Sequence, residues 1–288
     1  MIIQSLSVVV PNKACMNACK FCVSRMRVDD YKNNLQENSE DYELYIEDYK
    51  KRLEFARDNG CNTVILTGIS EPQQNKKFLS LFAKLNGELP SVFKRVEMQT
   101  TGTLLNLDYL KFLRQVVGIT TIALSISSFK NEENIEIIGM REKLNLEELC
   151  KNIKDQGFNL RLSVNLSKVF DTYTPEQFMK ECENLKVDQL TLRVLYESGE
   201  SNLPQNKWIQ ENKIRDSFLE EFKAYIKTYG RPLELMEFGQ MRYSLKNISL
   251  VIDDDCMSLQ VKDTLKYLIL REDCKLYTKW DDKGSLLF

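Results

Sequence analysis

Cys15, Cys19 and Cys22 stand in the run Cys-Met-Asn-Ala-Cys-Lys-Phe-Cys, a CxxxCxxC spacing. With eight cysteines in 288 residues, chance produces this spacing only about 0.006 times per chain. Three soft thiolates on one loop suit an iron–sulfur cluster, whose cubane form takes four ligands, so one iron is left open. The alternative is zinc on three cysteines and one further ligand. Against zinc, the chain has no histidine, and no second CxxC pair follows nearby. The lack of histidine also removes Ser-His-Asp and Cys-His nucleophilic designs.

The other cysteines read differently. Cys61, Cys150 and Cys182 sit in helical patterns or just before a strand, where small buried hydrophobes are common, and read as inert core thiols. Cys256 and Cys274 lie in the last part of the chain without a dense cysteine set around them, so no second cluster is expected there. Asp253-Asp254-Asp255 reads as a solvated turn, since no further oxygen-ligand spacing surrounds it. Sparse, unevenly spaced cysteines in a chain of this length indicate reduced thiols and a cytoplasmic compartment. The net charge of -2 with interleaved signs gives no polybasic footprint for nucleic acid or an anionic membrane. No apolar stretch reaches the ~20 residues of a bilayer span.

Positioning the cysteines falls to an α/β chain. Short apolar runs at Ile3–Val10, Thr63–Thr67, Arg95–Gln99, Thr121–Ile126, Leu160–Leu166 and Gln189–Leu195 alternate with helical patterns. The helical patterns are Tyr42–Arg57, Leu105–Val116, Leu146–Asp155, Glu176–Asn184 and Ile214–Tyr229. Six βα units predict a partial (β/α)6 TIM-like barrel over residues 1–230. Residues 231–288 break this rhythm and predict a short C-terminal β-containing extension packed on the barrel. Its runs Ile248–Ile252, Tyr267–Leu270 and Lys275–Lys279 read as antiparallel strands. The stretch Glu197–Gln210 reads as a loop long enough to act as a lid, with Trp208 as packing. Along the fifth strand Arg161, Ser163 and Asn165 alternate and so share one face. Arg193 lies on the sixth strand opposite Leu192 and Val194, where it binds an anionic substrate group or forms a structural ion pair.

Cys15, Cys19, Phe21 and Cys22 resemble the CxxxCxΦC motif of the radical S-adenosylmethionine (SAM) superfamily, placed after strand one as in that family. The resemblance runs from Gln4 to Leu195. It implies a 4Fe–4S cluster on Cys15, Cys19 and Cys22, and S-adenosylmethionine whose amine and carboxylate chelate the open iron. It also implies reductive cleavage to a 5′-deoxyadenosyl radical that takes a substrate hydrogen, and a low-potential flavodoxin or ferredoxin as electron donor.

Thr67-Gly68-Ile69-Ser70-Glu71-Pro72 is similar to the family's GGEP segment, which supports the methionyl ammonium, although Thr67 replaces the first glycine and Ile69 and Ser70 precede Glu71. Thr100 lies in a polar turn after strand three. At the end of strand four, Ser127 (or Ser125 just before it), with Arg141, resembles the groups that hold the cofactor carboxylate in related members. Asn165, with its face toward the lumen, is placed to bond ribose hydroxyls. One of Cys256 and Cys274, with Cys256 preferred, is a candidate to return a hydrogen atom to a substrate radical, as a thiol does in some family epimerases. A small metabolite or nucleotide is the expected substrate. The competing readings are a peptide- or RNA-modifying relative, a non-catalytic cysteine metal module, and an ordinary barrel enzyme using carboxylates such as Glu97 and Glu197.

Overall fold

Alternation along the strands decides the layers of this molecule. In the computed structural model, residues 2–26, 41–199, 202–236, 240–253, 260–261, 264–278 and 280 are described. The strands are β1 (Ile2–Ile3), β2 (Leu6–Val9), β3 (Thr63–Thr67), β4 (Arg95–Thr100), β5 (Thr121–Ile126), β6 (Asn159–Leu166) and β7 (Gln189–Val194). They continue as β8 (Arg231–Leu235), β9 (Met241–Leu245), β10 (Ile248–Asp253), β11 (Gln260–Val261), β12 (Thr264–Leu265), β13 (Leu268–Leu270) and β14 (Leu276–Tyr277). One sheet takes eleven of them in the order β14-β13-β2-β3-β4-β5-β6-β7-β10-β9-β8. From β13 through β2–β7 to β10, every neighbouring pair is parallel.

Residues of one parity along these strands are apolar and fully covered: Val8, Val64, Leu66, Met98, Ile122, Leu124, Leu160, Leu162, Leu190 and Leu192 are all 0–1% exposed. They join one hydrophobic core with Leu53, Phe78, Phe82, Leu149, Ile153, Phe178 and Phe222 from the helices. Each such side chain contributes roughly 1.5–3 kcal/mol relative to exposure. The opposite parity is mostly polar: Ser7, Thr67, Gln99, Ser125, Asn165, Arg193 and Asp253 line the cavities on the inner face. The dry core therefore lies between sheet and helices, and the inner face is left for polar groups.

The central strands and the helices Leu146–Asp155, Pro175–Asn184 and Asp216–Tyr229 lie where the sequence patterns place them, within two residues. The expected first strand is broken: its backbone leaves the ladder at Gln4 and Ser5, where Gln4 N donates to Leu265 O at 3.0 Å. Helices Lys76–Gly87 and Asn131–Ile138 add to those expected. The side chain of Asn75 caps the first by accepting from Phe78 N.

Two expectations need correction. The stretch Glu197–Gln210 is not simply a loop, because Pro204–Glu211 is a helix with proline in its first turn and Ile209 buried beneath it. The strands after residue 231 are not purely antiparallel. β10 pairs antiparallel with β9 but parallel with β7, and β13 pairs antiparallel with β14 but parallel with β2. Unpaired backbone on both edges of a six-strand sheet is a standing demand for further strands, and the C-terminal residues meet it on both sides. Lys266 Nζ, just before β13, lies 3.6 Å from Asp253 Oδ1, at the carboxyl end of β10. That ion pair links the two outer parallel strands.

Candidate functional site

The cysteine loop has little regular structure of its own, and its backbone is held by side chains from elsewhere. Below it lies the segment after β3. Asn12 Nδ2 donates to Ser70 Oγ at 2.8 Å and to Glu71 O at 3.2 Å. Gln74 accepts from Met16 N at 2.9 Å and donates to Ala14 O at 3.0 Å, while Asn75 Nδ2 donates to Pro11 O at 2.7 Å.

The carboxylate of Glu71, 6% exposed, is the hub. It accepts from Asn17 Nδ2 (3.3 Å), Gln73 Nε2 (2.9 Å), Thr100 Oγ1 (2.7 Å) and Thr101 N (3.0 Å). Four donors on one buried carboxylate offset its desolvation and tie the cysteine loop to the end of β4.

On the other side the loop leans on a helix end. Ala18 N and Lys20 N donate to Ile138 O and Ile137 O at 3.1 and 3.0 Å, using carbonyls that a helix terminus otherwise leaves unpaired. The helix stops at Gly139, whose φ is +64° and where a Cβ would lie 2.8 Å from Ala18 Cβ and 2.9 Å from Ala18 O. Glycine is required there twice over, by backbone sign and by space.

Cys19, Phe21 and Cys22 border a cavity of about 250 Å³ that also meets Ser125, Asn165 and Arg193. Burial pushes the Cys15 and Cys19 thiols upward, and for Cys19 the charges of Cys22 and Cys15 add to the effect. Crowded, half-buried thiols resist ionisation on their own and accept it once cationic metal is present. Among the described residues no three His, Cys, Asp or Glu side chains converge as ligands of one ion. A cubane takes each thiolate on a different iron, so it needs no such convergence. Soft donors beside a cavity with a few polar groups at Ser125, Asn165 and Arg193 fit a cluster and its open-iron ligand. Phe21 packs against Trp208 with ring centroids 5.8 Å apart, so the helix Pro204–Glu211 covers the cysteine loop.

The residues singled out in sequence divide into three groups. Phe21, Ser125, Asn165 and Arg193 come together on the thiol-side cavity. Thr67 and Gly68 line a second cavity of about 360 Å³ in the lumen, where Thr67 Oγ1 donates to Gln99 Oε1. The side chains of Ser70, Glu71 and Thr100 are engaged by protein partners as described, holding the loop. Ser127 is 1% exposed with its hydroxyl unpartnered, as is that of Ser163 on β6. Arg141 is exposed and borders neither cavity. Cys256 lies outside the described residues.

Glu97 and Arg161 form an ion pair at 2.7 Å, with Gln189 Oε1 also accepting from Arg161. Cys61, Cys150 and Cys182 are buried, and burial pushes Cys61 up to about 11 and Cys150 up to about 12.

Sequence reasoning missed part of the lumen. Asp253, read as a solvated turn, lines the second cavity together with Lys266, Tyr267 and Trp280. Its side chain is 15% exposed and accepts from Gln240 at 3.3 Å besides pairing with Lys266. The alternation Ser249, Val251, Asp253 held a signal for its inward direction. For Lys266 and Tyr267 no local signal exists, because their place depends on β13 docking against β2.

A parallel sheet with a polar inner face and a tri-cysteine loop after its first long strand defines the class. The sequence profile of the Radical SAM superfamily matches residues 9–185, and the chain belongs to that superfamily. Its members hold a 4Fe–4S cluster and bind S-adenosylmethionine, and these are the cofactors of this chain.

Among curated proteins the chain is similar to the uncharacterized protein MJ0804 of Methanocaldococcus jannaschii, at 27% identity over 230 residues, covering 71% of this chain and 64% of that one. Among solved structures it is similar to native anSMEcpe with bound AdoMet, at 16% identity and a TM-score of 0.51, covering 69% of this chain and 55% of that one. It is also similar to methylornithine synthase (PylB), at 14% identity and a TM-score of 0.51, covering 78% and 63%. The chain thus spans less than two thirds of the length of each. No helix among the described residues is long and apolar enough to cross a membrane.

Proposed function

We propose that this chain is a radical SAM enzyme that uses Cys15, Cys19 and Cys22 as cluster ligands and acts on a small-molecule substrate bound in the lumen. The observation that carries the reading is the clamp on the cysteine loop. The segment 70–75 and the helix end at Gly139 fix it from opposite sides, and Cys19 and Cys22 face a largely apolar cavity that carries polar groups at Ser125, Asn165 and Arg193. A cluster held by Cys15, Cys19 and Cys22 would supply the electron for reductive cleavage of S-adenosylmethionine, the source of the radical that would take hydrogen from the substrate.

The chain's own residues position and enclose. Ser125 and Asn165 offer hydrogen bonds to the cofactor's polar groups from neighbouring strands. The backbone of Gly68, beside which Val10 O lies only 3.3 Å from an added Cβ, keeps the turn after β3 close to the loop. Phe21 and Trp208 exclude water from the thiol side. A low-potential flavodoxin or ferredoxin supplies the electron. The reaction class beyond hydrogen abstraction is set by the substrate.

The test is anaerobic reconstitution with iron and sulfide, then dithionite and S-adenosylmethionine, with 5′-deoxyadenosine read by mass spectrometry. The wild type should form it, and the Cys15/Cys19/Cys22→Ala variant should lose both product and the visible absorption of the cluster. A wild-type protein that takes up no iron–sulfur cluster would sink the reading.

A further inference from the structure

Among the described residues, the charged groups facing the lumen are compensated with one exception. Arg161 is paired with Glu97, and Lys266 with Asp253. Arg193 borders both cavities, forms no ion pair or hydrogen bond among the described residues, and has its Nε buried without a partner. Its register neighbour on β10 is Asp253, yet that carboxylate is bound to Lys266 and Gln240. A lysine in this place could relieve its burial by losing a proton, but a guanidinium cannot. A partly desolvated guanidinium is stabilised by an anion, most strongly by one that meets its fork with two oxygens. A cofactor held at the cluster by its amine and carboxylate would leave this guanidinium for the second ligand. Around it the lumen cavity has apolar and aromatic walls at Ile65, Ile69, Tyr267 and Trp280.

We propose that the lumen cavity of about 360 Å³ takes a small organic anion, its carboxylate or phosphate seated on the Arg193 guanidinium and its apolar body against Tyr267 and Trp280. This names the substrate class for the site and rests on the radical SAM reading. It also gives the C-terminal strands a role, since Asp253 compensates the charge of Lys266 and both Tyr267 and Trp280 line the cavity.

The chain has two tryptophans, so in a Trp208→Phe background Trp280 reports the lumen alone. The cluster-reconstituted protein with S-adenosylmethionine is titrated with phenyl phosphate, phenylacetate and the neutral 2-phenylethanol, reading Trp280 emission. At least one anion should give a saturable change that 2-phenylethanol does not, and the tighter of the two separates phosphate from carboxylate. Arg193→Gln should weaken the anion by at least about tenfold, and Arg193→Lys by less. The proposal is overturned if neither anion binds, if 2-phenylethanol binds as tightly, or if Arg193→Gln leaves anion binding unchanged. It is also overturned if Arg193→Gln weakens S-adenosylmethionine instead. Formation of 5′-deoxyadenosine is read on the same samples once dithionite has been added anaerobically. Anion binding without that product would count against the radical chemistry and leave the anion seat standing; product without anion binding would count against the seat alone.

Discussion

The two faces of the central sheet contrast sharply although they belong to the same strands. On β6, Leu160, Leu162 and Val164 point to the helices and are 0% exposed, while Arg161, Ser163 and Asn165 point to the lumen. One parity supplies the packed core and the other supplies ion pairs, unpartnered hydroxyls and cavity walls. Stability and chemistry are thereby separated by a rotation of half a turn per residue. Substitutions on the outer face should act on folding and those on the inner face on ligands.

The largest expected effect on folding is on the outer face. Leu162→Ala removes a fully buried side chain from the sheet–helix layer and should cost about 3–5 kcal/mol in chemical denaturation. Gly139→Ala tests the clamp between the faces. A positive φ and a 2.8 Å approach to Ala18 should cost about 2–4 kcal/mol and, more tellingly, reduce iron retained after reconstitution. If the variant keeps a full cluster, the helix end does not position the loop.

Ser163→Ala, one residue from Leu162, should change stability by less than about 1 kcal/mol, because its buried hydroxyl has no partner to lose. A cost near that of Leu162→Ala would erase the contrast between the faces.

The smallest effect concerns an acid on the wrong side of this division. Glu272, in the turn between β13 and β14, is 3% exposed, and burial raises its carboxyl above the usual range. The folded state binds this proton more tightly than the unfolded one. Its contribution to stability is therefore complete below the unfolded carboxylate value and is lost as pH rises through the raised folded value. Glu272→Gln should raise the thermal midpoint more at pH 8 than at pH 5, and an equal shift at both would contradict the assignment.

Much of this arrangement is legible in the chain before folding. Thr63–Thr67 and Thr121–Ile126 keep as strands the limits that their short apolar runs predict, and Leu146–Asp155 keeps its helical limits with Asn145 capping it through Glu148 N. The cysteine spacing is equally local, since it depends on residues a few positions apart. Pro204–Glu211 is less legible because its only strong apolar anchors, Trp208 and Ile209, are adjacent and give no periodic stripe.

What the amino-acid order determined by itself is therefore the βα rhythm, the cysteine loop at the end of the first long strand, and the polar parity of β6 and β7. Each follows from short-range periodicity or from the bonding preferences of single residue types. The tertiary structure decided which polar residues meet ligands and which serve the scaffold. Glu71 and Thr100 became the supports of the loop only when β3 and β4 paired. Asp253 and Lys266 found each other only when β10 and β13 docked on opposite edges. Compensation of charge is a property of through-space distance, so that Arg193 faces the lumen without a partner among the described residues was settled by the packing of strands far apart in the chain.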